Sequence, residues 1–530
     1  MASKCFPKIW PWRNRARCRD RNAGGSITLI SIFVGFLFIA LGLGLIQVSR
    51  IYSKFSAHRK NLVGLACAAE NGIKEGFERF VERSADREGP TLLTEEIYAA
   101  LRQDVQAGGK RAVEEAVGMT LPWGWESAEG VQTWRMSIDF APGPIIWKDD
   151  YFLADFRGRV ASEGMLLRFN PRKKASLEAS LKILAGKIPL AYFPLLIAKN
   201  LSPNEKRDYL ENQGISFLPP GQGLVSPQMS FADEAIMPTD AEIFLKKALN
   251  IKVFSPDKLT RAELRSALGL EMVNEPVPEG VYLIHNDAGI GGVFVQGDLD
   301  ELILAIENGY QVILFRRESA RWILKFCPAQ GKSSFETPMG TTAYDRIPLG
   351  MLLVNGRILS LGGGKVNPSG VVEIVTTEAV PCVLDGVSLV IVSADQISLS
   401  SHLIQEGVRW QDGIPYLKDA TSQLTVYASG RDLIEDNVKS GQIIVGAGAP
   451  VDLKLQASLT AKDSIEVRGV GKTAHVTGGI QTAGLTLNGN ALSVLPDERF
   501  LSQKIFPSNS PAVQRPMLTV LAVLPRQWNE

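Results

Sequence analysis

The chain has 530 residues, 45% of them hydrophobic, which is enough to bury the cores of about three domains. Its 57 Lys and Arg residues nearly cancel its 56 Asp and Glu residues, so no global field favours nucleic acid or an acidic substrate as a partner. The charge is uneven, however, because residues 1–25 hold one acid, Asp20, among the basic residues Lys4, Lys8, Arg13, Arg15, Arg17, Arg19 and Arg21.

An uncharged apolar segment follows this basic leader. It covers residues 26–48, and a helix of 23 residues rises about 34 Å, which spans a hydrocarbon layer of ~30 Å. A cleaved secretory signal has a shorter apolar region, of about 7–15 residues, and an A-x-A-like cleavage site. The segment therefore predicts a single transmembrane helix, and the excess of basic residues before it predicts a cytoplasmic N-terminus.

The helical periodicity continues beyond the apolar segment, through residues 49–85. Apolar residues recur there mostly at steps of three or four, and polar residues occupy the other face. The polar run Asp86–Pro90 then ends the pattern. We therefore expect one continuous rod from about Ser26 to Arg83, whose second part packs on a globular domain.

A mixed α/β region is predicted over residues 86–275. The apolar stretch Ile188–Ala198 is too short and too interrupted by proline to be a second membrane span, so it is expected in a core. The expected elements are a helix over Thr94–Val117 with a break at Gly108 and Gly109, strands over Thr133–Phe140, Asp150–Ala161 and Met165–Phe169, a helix over Ala175–Lys187, and short helices over Asp240–Leu249 and Thr260–Leu268, the last with a capping box between Thr260 and Glu263.

Residues 276–495 have the composition of a β domain, with short β-branched runs separated by Gly and Asn. The pattern V-x-G-x-[LI]-x-x-[LA] occurs there in copies that begin at Val295, Val354 and Val476. Recurring inward apolar positions with glycine at the corners predict a β-solenoid, with a β-sandwich as the alternative. A proline-containing tail, residues 496–530, follows. The predicted fold class is thus α+β, membrane-anchored, with a β-solenoid-like domain after a small α/β region.

Motifs of catalysis or of cofactor binding are not found. The segment Gly469–Thr473 imitates the end of a P-loop, but Glu466 stands where the first glycine is required, so a β-turn is expected. The run His285–Asp287 is expected to be a polar loop beside a strand, and the acidic group Asp298–Glu301 lacks the spacing of a calcium loop. The histidines lack metal-binding spacing as well. We therefore expect no catalytic residues, no metal and no cofactor.

Five cysteines are present, and two of them form a candidate disulfide. Cys5 and Cys18 lie in the leader, and Cys67 lies in the predicted helix. Cys327 and Cys382 lie in the β domain and are expected to pair if that domain is in an oxidising compartment. The absence of a C-x-x-C motif argues against a zinc or thioredoxin-type site.

Three features together resemble the PilX-like minor pilins of type IV pilus systems. A basic leader ends at Gly25, and the apolar helix starts at Ser26, as at a prepilin cleavage site. The segment Ala66–Gly72 (ACAAENG), which contains Glu70, is similar to the A-x-x-A-E-x-G element of that family's helix. The β region with the tail that follows it, Leu495 to Trp528, resembles large pilin-like proteins with a C-terminal β-rich domain.

The resemblance implies a structural or assembly subunit that is not an enzyme, in a bacterial inner membrane, with most of the chain in the periplasm or outside the cell. Its implied partners are membrane lipid, other pilin-like subunits and a prepilin peptidase that cuts after Gly25, with no nucleic acid. The residues expected to pack against other helices are Gly35, Gly42, Gly44 and Glu70.

Two positions depart from the family pattern. Ser26 would be the first mature residue, where the family usually has a large apolar side chain, and Ile30 stands where major pilins carry Glu. This combination fits a tip subunit, an initiating subunit or a permanent anchor. The alternatives from other classes are a membrane-anchored carbohydrate-active β-helix enzyme and an adhesin.

Overall fold

The structure is a computed structural model, and it describes residues 24–85, 91–117, 123–129, 132–148, 151–166, 174–202, 204–206, 214–217, 230–238, 241–251, 259–411, 414–416, 420–435, 437–501, 507 and 510–529. The chain divides into two compact units, Met1–Cys67 and Ala68–Glu530. Most of the basic leader therefore lies outside the described residues.

One long helix, α1 (Gly24–Ala85), contains 62 residues, which is about 93 Å at the usual helical rise. The continuous rod expected from the periodicity is thus confirmed. Within α1, the segment Phe33–Lys60 is long and apolar enough to cross a membrane, as judged by length and composition, and none of it is buried. Phe36 and Phe38 are 70% and 69% exposed, and an apolar surface of this kind needs lipid or another apolar helix to cover it.

A six-stranded antiparallel sheet follows, together with α2 (Glu95–Gln103) and α3 (Val105–Val117). The C-terminal strand of the chain lies inside this sheet, so the end of the predicted tail is a strand paired with the mixed region. In spatial order the strands are β1 (Thr91–Leu92), β30 (Met517–Asn529), β5 (Lys174–Gly186), β4 (Tyr151–Leu166), β3 (Gln132–Lys148) and β2 (Trp123–Glu129).

The predicted helix over Ala175–Lys187 is wrong, because these residues form β5. Their sequence, ASLEASLKILAGK, alternates apolar and polar positions along most of its length, which is the period of a strand. β5 pairs with β4 on one side and with β30 on the other, so both of its edges are hydrogen-bonded. The strand expected over Met165–Phe169 does not begin as a new strand, because Met165 and Leu166 are the last two residues of β4. Residues 167–169 lie outside the described part.

The break in the predicted helix over Thr94–Val117 lies at Asp104 and not at Gly108 and Gly109. Asp104 has an extended backbone (φ −143°, ψ 102°), and its Oδ1 accepts a hydrogen bond of 3.2 Å from the N–H of Ala107. Gly108 lies where α3 approaches α2, and a Cβ there would be 2.6 Å from the backbone N of Leu101. The glycine thus permits close helix packing and does not interrupt the helix.

The stretch Ile188–Ala198 is confirmed as core, since Ile188, Leu190 and Leu195 are fully buried. The two short helices that the sequence predicts are present as α4 (Glu242–Ala248) and α5 (Arg261–Ala267). The capping box of α5 forms as expected: the N–H of Glu263 donates to Thr260 Oγ1, and the N–H of Thr260 donates to the Glu263 carboxylate.

The rest of the unit is a large β-rich region dominated by one mixed sheet. Its strands confirm the β composition of residues 276–495. In chain order they are β6 (Leu195–Ala198), β7 (Ile215–Phe217), β8 (Ser230–Ala232), β9 (Gly280–Asn286), β10 (Gly289–Gln296), β11 (Glu301–Glu307), β12 (Tyr310–Arg317), β13 (Ala320–Cys327), β14 (Lys332–Thr337), β15 (Gly340–Tyr344), β16 (Met351–Asn355), β17 (Ile358–Val366), β18 (Val372–Ile374), β19 (Pro381–Val383), β20 (Ser388–Ser393), β21 (Ile397–Leu399), β22 (Ile404–Gln405), β23 (Arg409–Gln411), β24 (Ile414–Tyr416), β25 (Gln423–Ala428), β26 (Gln442–Val445), β27 (Asp452–Val467), β28 (Thr473–Thr486) and β29 (Ala491–Pro496). One further short helix, α6 (Glu498–Leu501), follows β29.

Most of these strands stack in three parallel ladders. The first runs β10, β16, β20, β25, β27, β28, β6, β8. The second runs β11, β17, β21, β26, β27, β28. The third runs β19, β22, β27, β28, β29, β7, where β22 meets β27 through a bridge between Leu403 and Leu455. β27 and β28 are long enough to take part in all three ladders.

The first two copies of the repeated pattern stack directly on one another. Val295 pairs with Val354, Leu299 forms a bridge with Ile358, and Leu302 pairs with Leu361. The third copy is not adjacent to them, because Val476 pairs with Leu455 and with Val494. The apolar members of the ladders form one common core that includes a column in register, Val293, Leu352, Ile391, Val426, Leu459, Ile480 and Leu195.

Helices cover the outer side of the first ladder near its beginning. Phe244 of α4 and Leu264 of α5 pack in one buried cluster with Phe294, Leu353 and Tyr427. The first ladder is thus apolar on both of its faces in this part, whereas a strand with one face in water would alternate apolar and polar residues.

Gly356, at the corner of the second repeat, provides a test of this stacking. A Cβ at Gly356 would lie 2.4 Å from the carbonyl oxygen of Gly297 in the preceding repeat. We expect Gly356→Ala to lower the free energy of unfolding by about 1–3 kcal/mol, because the two chain segments must move apart. Chemical unfolding of the full chain in detergent, followed by circular dichroism, measures this change.

Gly448→Ala is the matched control, because Gly448 lies in an exposed turn and a Cβ there meets nothing within 4 Å. This variant should unfold like the original chain or be slightly more stable. Equal stability of the two variants would contradict the close stacking of the repeats.

Candidate functional site

Polar side chains gather on the outer side of the third ladder. Leu455 of β27, Val476 of β28 and Val494 of β29 belong to the common core. Because successive side chains of a strand alternate between its two faces, their neighbours point the other way. Register places Lys454 beside His475 and His475 beside Ser493, and it places Gln456 beside Thr477. The polar cluster consists of these outward residues (Lys454, Gln456, His475, Thr477 and Ser493) together with Trp410 and Asp452.

Two opposite charges meet at one end of the polar cluster. Asp452 lies between two partners, with its Oδ1 2.8 Å from His475 Nε2 and its Oδ2 3.0 Å from Lys454 Nζ. Burial acts to raise the pKa of the Asp452 carboxyl, but the hydrogen bond and charge of Lys454, with His475, outweigh it and hold that pKa below its ordinary value. Asp452 is therefore ionised at neutral pH, and its charge cancels that of Lys454.

A hairpin of β23 and β24 covers the cluster with an indole ring. Trp410 of β23 approaches His475 with 6.4 Å between ring centroids, in an edge-on arrangement. Lys454 Nζ lies 5.8 Å from the centroid of the same indole. The tryptophan thus contacts both basic members of the cluster.

The segments that flank this hairpin are fixed by buried hydrogen bonds. The N–H of Gln405 donates to Gln456 Oε1 (2.6 Å), and Gln405 Oε1 accepts from the hydroxyl of Ser422 (3.1 Å). Arg499 of α6 donates to the carbonyl oxygens of Ala420 and Ser422 at 2.9 and 3.0 Å. Arg499 is itself held by a buried ion pair with Asp497 at 2.7 Å. The chain therefore enters and leaves the hairpin at fixed points.

Several buried polar atoms of the cluster have no hydrogen-bond partner. Within the part of the chain that the structure describes, the buried side-chain N and O atoms in this condition are Trp410 Nε1, Gln456 Nε2, His475 Nδ1, Thr477 Oγ1 and Ser493 Oγ, and every one of them belongs to the polar cluster. An unpaired buried group of this kind costs about 1–3 kcal/mol. Their collection on one surface makes the polar cluster the candidate functional site.

The amino-acid sequence alone does not identify this site. Its members come from separate turns of the chain, and each of them is an ordinary polar residue in an alternating strand. The only local signal is the alternation itself, in Asp452–Gln456 and in Thr473–Thr477. The alternation does not show which of the outward residues become buried, because their burial depends on the hairpin that packs over them.

The residues that the sequence predicts for processing and helix packing all lie in α1. Gly25 and Ser26 are in its first turn, and their cleavage stays a prediction. At Gly35, Gly42 and Gly44 a Cβ would meet nothing within 4 Å, so each position is open to a further helix or to lipid. Glu70 is in the same helix, but its side chain lies outside the described part.

The acidic and glycine-rich motifs have structural roles. Asp298 pairs with Arg357 at 2.7 Å, Glu301 pairs with Arg316, and Asp300 accepts from the N–H of Glu318. The segment Gly469–Thr473 forms the bend between β27 and β28, and Lys472 Nζ in it donates to the carbonyl of Ala449. No group of three or more His, Cys, Asp or Glu residues suited to a metal occurs among the described residues.

His285 and Asn286 are the last two residues of β9, and only Asp287 of the expected polar loop lies in the short connection to β10. The side-chain amide of Asn286 donates to the carbonyl of Ala248 at 2.7 Å and accepts from the N–H of Ala288 at 2.9 Å. The His285 ring lies 6.3 Å from that of Tyr344. These contacts join the connection to the end of α4 and to β15.

The candidate disulfide is not present in the structure, where Cys327 and Cys382 are both free and buried. Cys382 is fully buried in the common core, and a Cβ at Gly363 would lie 3.1 Å from its Sγ. Burial raises the pKa of the Cys382 thiol to about 12. Its side chain therefore acts as an apolar part of the core.

Alkylation tests this placement. At pH 8 the Cys382 thiol should react about a thousandfold more slowly than the exposed Cys67 thiol, because so little thiolate forms. Labelling of the native chain with iodoacetamide, followed by peptide mass mapping, gives both rates. In denaturant the two rates should become similar. A Cys327–Cys382 peptide in protein from its native compartment would contradict the free thiols.

His402 makes the stability of the folded chain depend on pH. Its Nδ1 accepts a hydrogen bond of 3.0 Å from the backbone N–H of Lys454. Burial first, and then the charge of Lys454, lowers the pKa of His402 below its ordinary value of 6.5, although Asp452 opposes the shift. The unfolded chain then binds more protons than the folded chain as the pH falls below 6.5, so the stability due to this group is present above that pH and is lost below it.

We expect the unfolding free energy of the full chain to fall between pH 7.5 and pH 5.5, by up to about 1.4 kcal/mol per pH unit for this one group. His402→Asn keeps an acceptor near the position of Nδ1 but does not titrate, so its decrease should be smaller. Urea unfolding at the two pH values measures the difference. An equal decrease in both proteins would show that His402 is not the group responsible.

No protein-family model matches the chain, and no curated protein or solved structure matches it either.

Proposed function

We propose that this chain is a pilin-like, membrane-anchored structural or assembly subunit that carries a β-solenoid domain outside the cytoplasm. The observation that supports this most directly is α1, a continuous helix of 62 residues. Its Phe33–Lys60 segment has the length and composition of a membrane span, while its second part continues the same helix with polar residues on one face. A helix of this design stays in lipid or packs against other apolar helices, because exposing it to water costs about 25 cal/mol per Å² of apolar surface.

The parallel ladders support the solenoid assignment. From β16 onward, each turn of the chain contributes one strand, or one segment of a long strand, to each ladder, as in the succession β16, β17, β19 and then β20, β21, β22. The strands of successive turns pair in register, so the apolar side chains form one continuous interior core. A β-sandwich, the alternative, has two antiparallel sheets facing one another, whereas these ladders are parallel throughout.

The proposed location is a bacterial inner membrane, with the N-terminus in the cytoplasm and unit Ala68–Glu530 in the periplasm or outside the cell. The basic residues before the apolar segment support this orientation. A carbohydrate-active enzyme, the second class considered, would bring three or more carboxylates together with Arg or Lys in one groove. The polar cluster contains one carboxylate, that of Asp452, so it favours a binding role over glycoside cleavage.

N-terminal sequencing of the native protein tests the pilin-like assignment. We expect Ser26 as the first residue, because the proposed peptidase cuts after Gly25, where the charged leader meets the apolar helix. Gly25→Leu should leave the leader attached, since a large side chain crowds the cleavage position. Gly35→Leu is the matched control and should be cleaved normally, because it lies well beyond the cut.

An N-terminus at Met1 or Ala2 in the native protein would leave a permanent single-pass anchor in place of a processed subunit. The orientation has its own readout, in which alkaline phosphatase fused after Glu530 should be active. An inactive fusion of normal abundance would contradict both the location and the pilin-like assignment.

A further inference from the structure

We propose that Asn308 is a site of covalent modification, at which water converts the side-chain amide to a carboxylate through a cyclic imide with the backbone of Gly309. The inference does not depend on the pilin-like function, because it rests only on turns that contain an Asn-Gly pair. Four such pairs occur in the chain, and they begin at Asn71, Asn308, Asn355 and Asn488. The first lies within α1, and the other three lie in the β region, where their side chains are described.

The reaction requires the backbone nitrogen of the glycine to reach the side-chain carbonyl carbon of the asparagine. The nitrogen of Gly309 gives its proton to water or hydroxide and bonds to Cγ of Asn308, and the Cγ–Nδ2 bond breaks with release of ammonia. Water then opens the imide at either of its carbonyl groups, which gives aspartate or isoaspartate. Water is therefore the only co-reactant that the reaction consumes.

The turn between β11 and β12 suits this attack. Glu307 pairs with Tyr310, so Asn308 and Gly309 form a two-residue hairpin loop, and their φ angles are 50° and 78°. Positive φ at both positions is the mark of a type I′ turn. A type II′ turn keeps the positive φ of the first residue and differs mainly by a rotation of the peptide unit between the two residues. This rotation turns the Gly309 nitrogen toward the Asn308 side chain while both strands stay paired, and glycine accepts either sign of φ.

The folded chain leaves room for this rotation at Asn308. Asn308 and Gly309 are both exposed, and a Cβ at Gly309 would meet nothing within 4 Å. Within the part of the chain that the structure describes, the side-chain amide of Asn308 has no hydrogen-bond partner. Its Cγ is therefore free to meet the glycine nitrogen.

Asn488 has the same turn but a tethered side chain. The φ angles of Asn488 and Gly489 are 51° and 78°, and Asn488 is exposed like Asn308. However, its Nδ2 donates to the Glu466 carboxylate at 3.2 Å and to the carbonyl of Val467 at 3.4 Å. These bonds must break before its Cγ can approach the glycine nitrogen, so Asn488 should react more slowly.

Asn355 is held still more firmly. It is only 8% exposed, its Nδ2 donates to Gln296 Oε1 at 3.1 Å, and its Oδ1 accepts from the N–H of Leu433 at 2.9 Å. The glycine that follows it is Gly356, where a Cβ would lie 2.4 Å from the preceding repeat. The peptide unit at Asn355 thus has no room to rotate, and this pair should be the least reactive of the three.

The modification changes both the charge and the backbone of the loop. A carboxylate at position 308 adds one negative charge beside Glu307, which pairs with Lys325 at 2.9 Å. Isoaspartate also places one more carbon atom in the backbone of the two-residue loop. The tip of the β11–β12 hairpin therefore changes with the age of the protein.

Incubation of the full chain in detergent at pH 8 and 37 °C, followed by peptide mass mapping, gives the rate at each pair from the mass gained when an amide becomes a carboxylate. In the folded chain, Asn308 should be modified at least about tenfold faster than Asn488 and Asn355. In denaturant the three rates should agree within about twofold, because glycine follows each asparagine and only the fold distinguishes them.

Glu466→Ala tests the reason for the difference. It removes the carboxylate that holds the Asn488 amide, so the rate at Asn488 should rise at least about threefold while the rate at Asn308 stays the same. Glu336→Ala is the matched control, because Glu336 also pairs with a surface arginine, Arg321 at 3.3 Å, and it should leave all three rates unchanged. The rate at buried Asn355 reports unfolding, and it should stay low in both variants.

Three outcomes would overturn the proposal. In the first, Asn308 is modified no faster than Asn355 in the folded chain. In the second, Asn308 keeps its lead in denaturant, which would assign the reactivity to the local sequence and not to the turn. In the third, Glu466→Ala leaves Asn488 as slow as before, which would show that a free amide is not the cause. None of these outcomes bears on cleavage after Gly25, so the two proposals fail independently.

Discussion

The in-register stacking of parallel strands is the constraint on which the β region depends. Each strand pairs its backbone with the turn before and the turn after, so the side chains of all turns divide into the same inner and outer columns. The inner column from Val293 to Leu195 is apolar at every level. Corners between strands must then bring backbone against backbone, which is why Gly356 lies so close to the Gly297 carbonyl. An apolar interior and glycine corners are both consequences of one register.

A stack of parallel strands also has two open ends, and each end carries unpaired backbone groups that invite association with other chains. At the beginning, β9 folds back antiparallel on β10. At the other end, β6 and β7 pair with β28 and β29, although they precede these strands by about 280 residues. The stack is therefore completed by a segment from before it in sequence, and the C-terminal strand β30 returns in turn to pair with β5. These two long-range pairings tie the mixed region to the β region.

The first and third ladders differ in what covers their outer sides. Helices α4 and α5 cover the first ladder with apolar contacts, whereas the hairpin of β23 and β24 covers the third ladder over polar residues. A polar surface covered in this way retains donors and acceptors that have no partner within the protein, so water, an ion or a ligand is needed to satisfy them. The site thus arises from a covered polar ladder, without any of the sequence motifs that usually mark catalysis.

The sequence by itself determined the features that depend on local pattern: the long helix α1, the capping box at Thr260, the buried stretch Ile188–Ala198, and the β character of residues 276–495. The repeated pattern, with its offset of 59 residues between Val295 and Val354, even marked the residues that pair. Tertiary structure alone decided that Ala175–Lys187 is mostly strand, because β4 and β30 supply partners for both of its edges. It also decided which outward side chains are buried, since alternation separates inside from outside but does not show what packs over the outside. The polar cluster belongs to that second class, because it exists only where a hairpin from one turn covers the ladder built by the following turns.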